Sequence, residues 1–241
     1  MKKKLVLLAF IYCLLNSCSK TNTEESAIDT NAPRVTTEAG YGNSKLPFTT
    51  TSWQLPAAIK LEDSIHDYSY CWAFAPYKQI SPKDWKGVPL GFTFCLTLKN
   101  ASTHSVIVEF PPQLIFSSSS SLYQNVLVID LGSVELLPGS IRTIVAQGFC
   151  VNKGRDIPQT YNEETGGFLN YNFGPSVIPS ALQEIVDIVK SKHITMNDVL
   201  KADGTIDNTK ALKYIVIQKA IWEVTDGEGL TANTKSELLA L

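Results

Sequence analysis

The chain lacks an apolar run long enough to cross a bilayer. A spanning helix needs roughly 20 consecutive apolar residues. The apolar run near the N-terminus extends only from Leu5 to Leu15, and the polar residues Asn16 and Ser17 end it. The sequence therefore predicts no transmembrane helix, and any attachment to a membrane must come from another chemical group.

An excess of positive charge is also missing. The chain has 21 lysine and arginine residues against 23 aspartate and glutamate residues. A surface that binds nucleic acid needs a basic excess or a basic stripe, whereas the lysines here are scattered among acids. We therefore expect no nucleic-acid partner.

Residues that ligate metals are scarce and badly spaced. The chain has 3 histidines and 5 cysteines, and no two of them share a spacing that is typical of metal ligands. The aspartates Asp198, Asp203 and Asp207 around Gly204 do not match a calcium-binding loop. The sequence therefore predicts no metal site, and we expect no cofactor.

What the N-terminus does contain resembles the signal of a bacterial lipoprotein. Lys2 to Lys4 precede the apolar run, and Ser17 directly precedes Cys18. The resemblance is to the lipobox, which implies that residues 1–17 are cleaved and that Cys18 is lipidated. Two or three acyl chains anchor a protein stably. The membrane would then be a partner through Cys18, in an outer-membrane lipoprotein at the cell surface or facing the periplasm. The alternative is an ordinary signal peptide whose cleavage leaves Cys18 unmodified.

Residues 18–45 are predicted to form a flexible tether. They are rich in threonine, serine, asparagine and glutamate, and such a segment cannot bury enough apolar surface to order itself. Cleavage would remove three lysines and no acid, leaving 18 basic against 23 acidic residues. The mature protein is thus expected to be moderately acidic.

Short alternating apolar runs between residues 46 and 148 predict β-strands. We expect these strands at residues 68–74, 92–98, 106–110, 125–129 and 141–146. Turn signals separate them, including the serine run 117–121, and no helical pattern intervenes. This pattern favours an immunoglobulin-like antiparallel β-sandwich. The expected fold is mainly β plus α, with the sandwich followed by a smaller helical or mixed domain at residues 149–241.

Helical patterns appear only after residue 148. Helices are predicted at residues 180–189, with a serine cap at Ser180, and at residues 195–200, 209–224 and 231–241. Asp207 or Asn208 is expected to cap the third of these.

One polar residue interrupts the apolar face of the helix predicted at residues 209–224. At about 100° per residue, Gln218 falls in the middle of an arc formed by Ala211, Tyr214, Ile215, Ile221 and Trp222. A buried amide without a hydrogen-bond partner costs about 1–3 kcal/mol. Gln218 should therefore either satisfy a buried backbone group or take part in chemistry.

Two short motifs resemble the thioester domains of bacterial surface adhesins. The segment Gln218–Trp222 resembles their Gln-x-Ala-Ile-Trp sequence, although Ile217 stands where the family commonly has threonine. The segment Phe149–Asn152, followed by Pro158 and Tyr161, resembles their aromatic-Cys-x-Asn element. Both motifs occur in the order of the family, and the resemblance covers about residues 149–230.

The resemblance implies an internal thioester. The sulfur of Cys150 would attack the side-chain carbonyl of Gln218 and expel ammonia, and an amine or similar nucleophile on an unidentified surface ligand would then displace the sulfur. Such a site must exclude water. The residues expected to line its pocket are Phe149, Asn152, Tyr214 and Trp222. The implied function is adhesion by a lipid-anchored surface protein that is not an enzyme.

Other interpretations remain open at this stage. After cleavage and lipidation Cys71, Cys95 and Cys150 remain, which allows at most one internal disulfide. We favour Cys71 with Cys95, although spacing alone does not decide the pairing. The protein could instead be a non-covalent binding or structural lipoprotein without a thioester. An enzyme that uses Cys150 with His104 or His193 is a third interpretation.

Overall fold

A computed structural model describes residues 34–36, 38–67, 70, 82–89, 91–159, 161–162, 166–201 and 206–241. The predictions about the lipobox, the cleavage of residues 1–17 and the lipidation of Cys18 lie outside these residues, as does Cys71. Within the described part of the chain, no helix combines the length and the apolarity that a bilayer-spanning helix requires.

Most strands belong to one curled, largely antiparallel sheet. The described strands are β1 (Ile59–Leu61), β2 (His66–Asp67), β3 (Trp85–Lys86), β4 (Phe92–Asn100), β5 (Val106–Glu109), β6 (Gln113–Ser118), β7 (Val126–Ile129), β8 (Ser133–Leu136), β9 (Ile141–Cys150), β10 (Tyr161–Asn162), β11 (Gly167–Phe168) and β12 (Tyr171–Phe173). The main sheet has the order β1-β4-β9-β7-β6-β12, with β2 paired to β4 and β3 paired in parallel to β9. The pairs β5–β8 and β10–β11 form separate two-stranded sheets.

The two ends of the main sheet approach each other. Ile65, the residue before β2, forms a bridge with Tyr171 of β12, whose N–H donates to the Ile65 carbonyl over 2.8 Å. β2 pairs with β4, which lies near the opposite end of the strand order from β12. The bridge therefore brings the two ends together, and the sheet curls round the apolar side chains on its concave face. We call this cluster the sheet core; its members include Phe94, Leu96, Phe116, Val126, Val128, Ile144, Ala146 and Tyr171.

The opposite face of the sheet packs against helices. These are α1 (Ser180–Ser191), α2 (Asn208–Leu212), α3 (Ile215–Thr225) and α4 (Ala232–Leu239). Side chains alternate between the two faces of a strand, so Phe149 of β9 and Val151 after it point away from the sheet core and join the helices. We call this second cluster the helix core; its members include Leu127, Phe149, Val151, Ile185, Tyr214, Ile217, Ala220 and Ile221.

The predicted class of mainly β plus α is confirmed, with corrections in detail. β4, β5, β7 and β9 match predicted strands. β6 and β8 were not predicted, and β6 extends into the serine run that was interpreted as a turn. The predicted strand 68–74 lies largely outside the described residues, and Tyr70, which is described, is helical. The expected domain boundary at residues 148 and 149 falls inside β9.

The helices also differ from the prediction in two places. Ser180 is the first residue of α1 rather than its cap, because Pro179 occupies the N-cap and makes no side-chain cap bond. The single helix expected at residues 209–224 is broken at Tyr214. There the N–H of Tyr214 bonds to the carbonyl of Ala211, and the N–H of Ile217 to that of Tyr214, which is the tighter pattern of a 3-10 turn.

Other predicted helical features are confirmed. Asp207 caps α2, because its side chain accepts hydrogen bonds from the N–H groups of Thr209 and Lys210. Thr231 caps α4. The segment predicted at residues 195–200 is helical only as a short 3-10 helix, Met196–Asp198.

Part of the predicted tether is folded. Residues 34–45 were expected within the flexible segment 18–45, but Val35 and Tyr41 are only 3% and 4% exposed and pack in the helix core. The N–H of Val35 also donates to the carbonyl of Val224 in α3. The prediction was wrong for this part, because a few buried side chains and backbone hydrogen bonds suffice to hold an otherwise polar segment. We call residues 35–36 and 38–44 the strap.

Candidate functional site

The structure brings Cys150 and Gln218 together. The backbone N–H of Cys150 donates to Oε1 of Gln218 over 2.9 Å, and Nε2 of Gln218 donates to the backbone carbonyl of Cys150 over 2.9 Å. One carboxamide thus occupies both backbone groups of a single residue that lies 68 positions away in the sequence. The two residues that carry the thioester-like motifs are direct neighbours.

The strand geometry explains why Cys150 is available for this contact. Val151 donates its N–H to the carbonyl of Asn125 on the β7 side, so the N–H and carbonyl of Cys150 point away from β7. On that other edge, the pairing of β4 with β9 ends at Gly148. The carboxamide of Gln218 carries a donor and an acceptor side by side, as a peptide group does, and it continues the ladder beyond β4.

The thiol of Cys150 is buried on the concave face of the sheet. Cys150 is 0% exposed and takes part in no disulfide. It lies opposite Val126 in the β7–β9 pair, so its side chain shares the face of Val126, which belongs to the sheet core. Burial raises the pKa of Tyr171 well above 10.0, and the nearby Cys150 raises it further. The thiol and the phenol of Tyr171 therefore occupy one dry region.

The carboxamide of Gln218 is held at the edge of β9 that the backbone N–H and carbonyl of Cys150 face. The Cβ of a strand residue leans toward the edge that its own N–H and carbonyl face. One of the three staggered χ1 positions of Cys150 therefore turns the sulfur toward that edge, where the carboxamide is held. The arrangement allows either a hydrogen-bonded seal or, after attack of the sulfur on the carbon, an acyl bond.

The remaining predicted site residues fall in three different surroundings. Phe149 and Tyr214 are 0% and 2% exposed and lie in the helix core. Trp222, one turn after Gln218 on α3, is half-buried, and the ammonium of Lys153 lies 5.4 Å from its ring centroid. Asn152 is fully buried and binds the strap, since its Nδ2 donates to the carbonyls of Gly40 and Gly42.

Several site residues were not predicted from the sequence. Asn125 donates its side-chain N–H to the Gly40 carbonyl over 2.9 Å and its backbone N–H to Oδ1 of Asn152 over 2.9 Å. The only sequence signal for the strap is the pair of apolar residues Val35 and Tyr41 within a polar stretch, with glycine on both sides of the tyrosine.

The other chemical predictions have these outcomes. Cys95 is disulfide-bonded, while its predicted partner Cys71 lies outside the described residues, so the pairing stays a prediction. His104 and His193 are exposed, in contrast to the buried thiol of Cys150. Among the described residues, no group of three or more histidine, cysteine, aspartate or glutamate side chains is arranged to hold a metal ion.

A partly buried carboxylate lies at the end of α3, beyond Trp222. Burial raises the pKa of Asp226 above its ordinary value of 3.8, although Thr225 and the backbone N–H groups of Lys153 and Gly154 act in the opposite direction. Folding therefore favours the protonated form of Asp226. Its contribution to stability is fully present below pH 3.8 and is lost as the pH rises through the raised pKa.

We therefore expect Asp226→Asn to flatten the pH dependence of stability in that window and to raise the free energy of unfolding at neutral pH. Urea denaturation at a series of pH values measures both. Asp63→Asn is the control of opposite sign. Burial raises the pKa of Asp63, but hydrogen bonds from Ser64, His66 and Tyr70 outweigh it and lower the pKa. Its contribution is lost as the pH falls, so parallel curves for the two variants would contradict the assignment.

A scan with protein-family models and searches of curated proteins and of solved structures found no match to this chain.

Proposed function

We propose that this protein attaches covalently to a surface ligand through an internal thioester between Cys150 and Gln218. In this proposal, Cys18 is lipidated and holds the protein at an outer membrane, at the cell surface or facing the periplasm. The observation that carries the proposal is the pair of 2.9 Å hydrogen bonds that hold the Gln218 carboxamide on the backbone of Cys150.

The hydrogen bonds suit the formation of a thioester. Attack of the sulfur on Cδ of Gln218 places negative charge on Oε1, and the backbone N–H of Cys150 already donates to that atom. A donor fixed in advance where charge develops stabilises the transition state. When the C–N bond breaks, Nε2 takes the thiol proton and leaves as ammonia, and the backbone carbonyl of Cys150 holds Nε2 until then.

The thioester would then act as a single-use electrophile. An amine on the ligand attacks Cδ of Gln218, an amide bond forms, and the sulfur of Cys150 leaves as a thiol with a proton from the amine. The buried surroundings of Cys150 and Phe149 support this role, because exclusion of water slows hydrolysis. The reaction consumes the site and produces attachment rather than turnover.

We also propose that the β-rich part is the immunoglobulin-like sandwich expected from the sequence. The β5–β8 pair would be its second layer. Val108 of β5 and the β8 residues Val134 and Leu136 support this, because they pack in the sheet core against the main sheet. Two layers that share one apolar core are the basic arrangement of a sandwich.

The mass of the purified mature protein tests the thioester. We expect the intact mass to be lower by one ammonia than the mature sequence with its lipid requires, and we expect methylamine to add to Gln218. In Cys150→Ser both effects should vanish, because the serine hydroxyl is a weaker nucleophile without a base. A full intact mass without a methylamine adduct in the wild-type protein would refute covalent capture.

The second candidate function is non-covalent binding by a surface lipoprotein. The same two hydrogen bonds favour it, because they satisfy strand groups that would otherwise be buried without partners. Under this alternative, Gln218 only satisfies the backbone hydrogen bonds of Cys150 at the sheet edge. A ligand would bind equally well to Cys150→Ser and to the wild-type protein, and the complex would dissociate in denaturant.

A further inference from the structure

We propose that the strap closes the Cys150–Gln218 site and that Asn152 is the positioning residue that holds the strap in place. The inference rests on the proposed function for the chemistry of the site. The closure itself is a separate physical claim and is tested by a separate measurement.

The strap binds both elements that carry the site. At one end, the N–H of Val35 donates to the carbonyl of Val224 in α3, the helix that bears Gln218. At the other end, the N–H of Gly42 donates to the carbonyl of Val151, the residue after Cys150. Because the strap bridges the strand and the helix, it opposes any movement that separates the thiol from the carboxamide.

Asn152 is the centre of the attachment. Its Nδ2 donates to the carbonyls of Gly40 and Gly42, each over 3.0 Å, and its Oδ1 accepts the N–H of Asn125 over 2.9 Å. Asn152 is 0% exposed, so loss of its side chain removes these partners from the buried Gly42 carbonyl and the Asn125 N–H, while the Gly40 carbonyl keeps its bond from Nδ2 of Asn125. Such losses are costly because these groups cannot turn to water.

The fit of the strap depends on a glycine. Gly42 has a φ of +53°, and a Cβ at this position would lie 2.1 Å from the backbone carbonyl oxygen of Thr225 at the end of α3. A backbone atom cannot move aside as a flexible side chain can. Gly42→Ala should therefore lift the strap from α3 even though Asn152 is intact.

Both residues have a matched control elsewhere in the fold. Asn100 is also a 0% exposed asparagine, and it holds the carbonyls of His104, Leu136 and Leu137. Gly139 also has a positive φ, +66°, but a Cβ there would meet nothing within 4 Å. Asn100→Ala and Gly139→Ala thus reproduce the type of change without touching the strap.

The test measures how fast the thiol of Cys150 is alkylated in the native protein. Methylamine treatment first opens any thioester, so that Cys150 carries a thiol whether or not the proposed bond had formed. The intact mass reports that this step is complete. Iodoacetamide is then added without denaturant, and the fraction alkylated at Cys150 is followed by peptide mass.

We expect Asn152→Ala and Gly42→Ala to raise the alkylation rate about tenfold or more, since local opening controls access to a buried group. Asn152→Asp should behave like Asn152→Ala, because it keeps the acceptor for Asn125 but loses the donors to the strap. Asn100→Ala and Gly139→Ala should leave the rate near that of the wild-type protein.

Equal rates in the Asn152 and Asn100 variants would overturn the inference, as would an unchanged rate in Gly42→Ala. Thermal melting of every variant identifies any variant that does not fold. If either the Asn152 or the Gly42 variant does not fold, the alkylation rate of the other one tests the inference. A full intact mass before methylamine treatment would contradict the proposed function. Unchanged alkylation rates in the strap variants would contradict the closure, so the two failures can be told apart.

Discussion

Gln218→Ala is expected to destabilise the protein by about 2–6 kcal/mol, because two buried strand groups of Cys150 each lose a partner at about 1–3 kcal/mol. In the described part of the chain, the pairing of β4 with β9 ends at Gly148, and the N–H and carbonyl of Cys150 bond to Gln218 instead. Urea denaturation of the methylamine-treated wild-type protein and of the variant measures the difference. The same variant should show a full intact mass without an adduct.

A second glutamine provides the control for this prediction. Gln183 of α1 is also half-buried in a helix, but its carboxamide bonds to side chains, those of Gln113 and Asp187, rather than to strand backbone. Gln183→Ala loses two such bonds, each with a usual net value of about 0.5–1.5 kcal/mol, so it should cost about 1–3 kcal/mol and less than Gln218→Ala. If the two alanine variants lose the same stability, the carboxamide of Gln218 does not seal the sheet edge.

Cys150→Ala separates the two roles of the pair. Alanine keeps the backbone N–H and carbonyl that bind Gln218 and removes only the sulfur. We therefore expect the adduct to be lost while the free energy of unfolding changes much less than in Gln218→Ala. A large loss of stability in Cys150→Ala would show that the packing of the thiol, rather than the ladder of hydrogen bonds, supports this edge.

The meeting of Cys150 and Gln218 could be expected from the sequence, but its form could not. The expectation that they meet came from the resemblance of their two motifs to thioester domains, whereas the apolar stripe around Gln218 indicates only a buried position. The binding of the carboxamide to the backbone depends on where β4 stops pairing with β9. Strand ends of this kind are set by the curl of the whole sheet, which local periodicity does not encode.

The strap was missed for a related reason. Composition predicts order from the amount of apolar surface, and residues 34–45 contain little of it. Their order depends instead on partners that are remote in the sequence, such as Asn152, which lies 112 positions from Gly40. The break at Tyr214 is similar, because the tyrosine packs in the helix core at the expense of a continuous helix that propensity alone favours.

Phe149→Ala is expected to cost about 3–5 kcal/mol, the usual range for truncation of a buried phenylalanine. The ring is 0% exposed and packs in the helix core, which also contains Ile217 and Ile221 of α3. The cavity that this truncation leaves would lie between β9 and α3, beside both residues of the site. Water should therefore reach the thioester more easily, and the fraction of protein that lacks ammonia should fall faster during storage.

Leu98→Ala distinguishes a specific effect at the site from general loosening. Leu98 of β4 is also 0% exposed in the sheet core, but it pairs with Arg142, at the other end of β9 from Cys150. Both variants should lose similar stability in urea. Only Phe149→Ala should shorten the lifetime of the thioester, measured as the gain of one water on the intact mass over time. Equal lifetimes at equal stability would mean that the helix core does not keep water from the site.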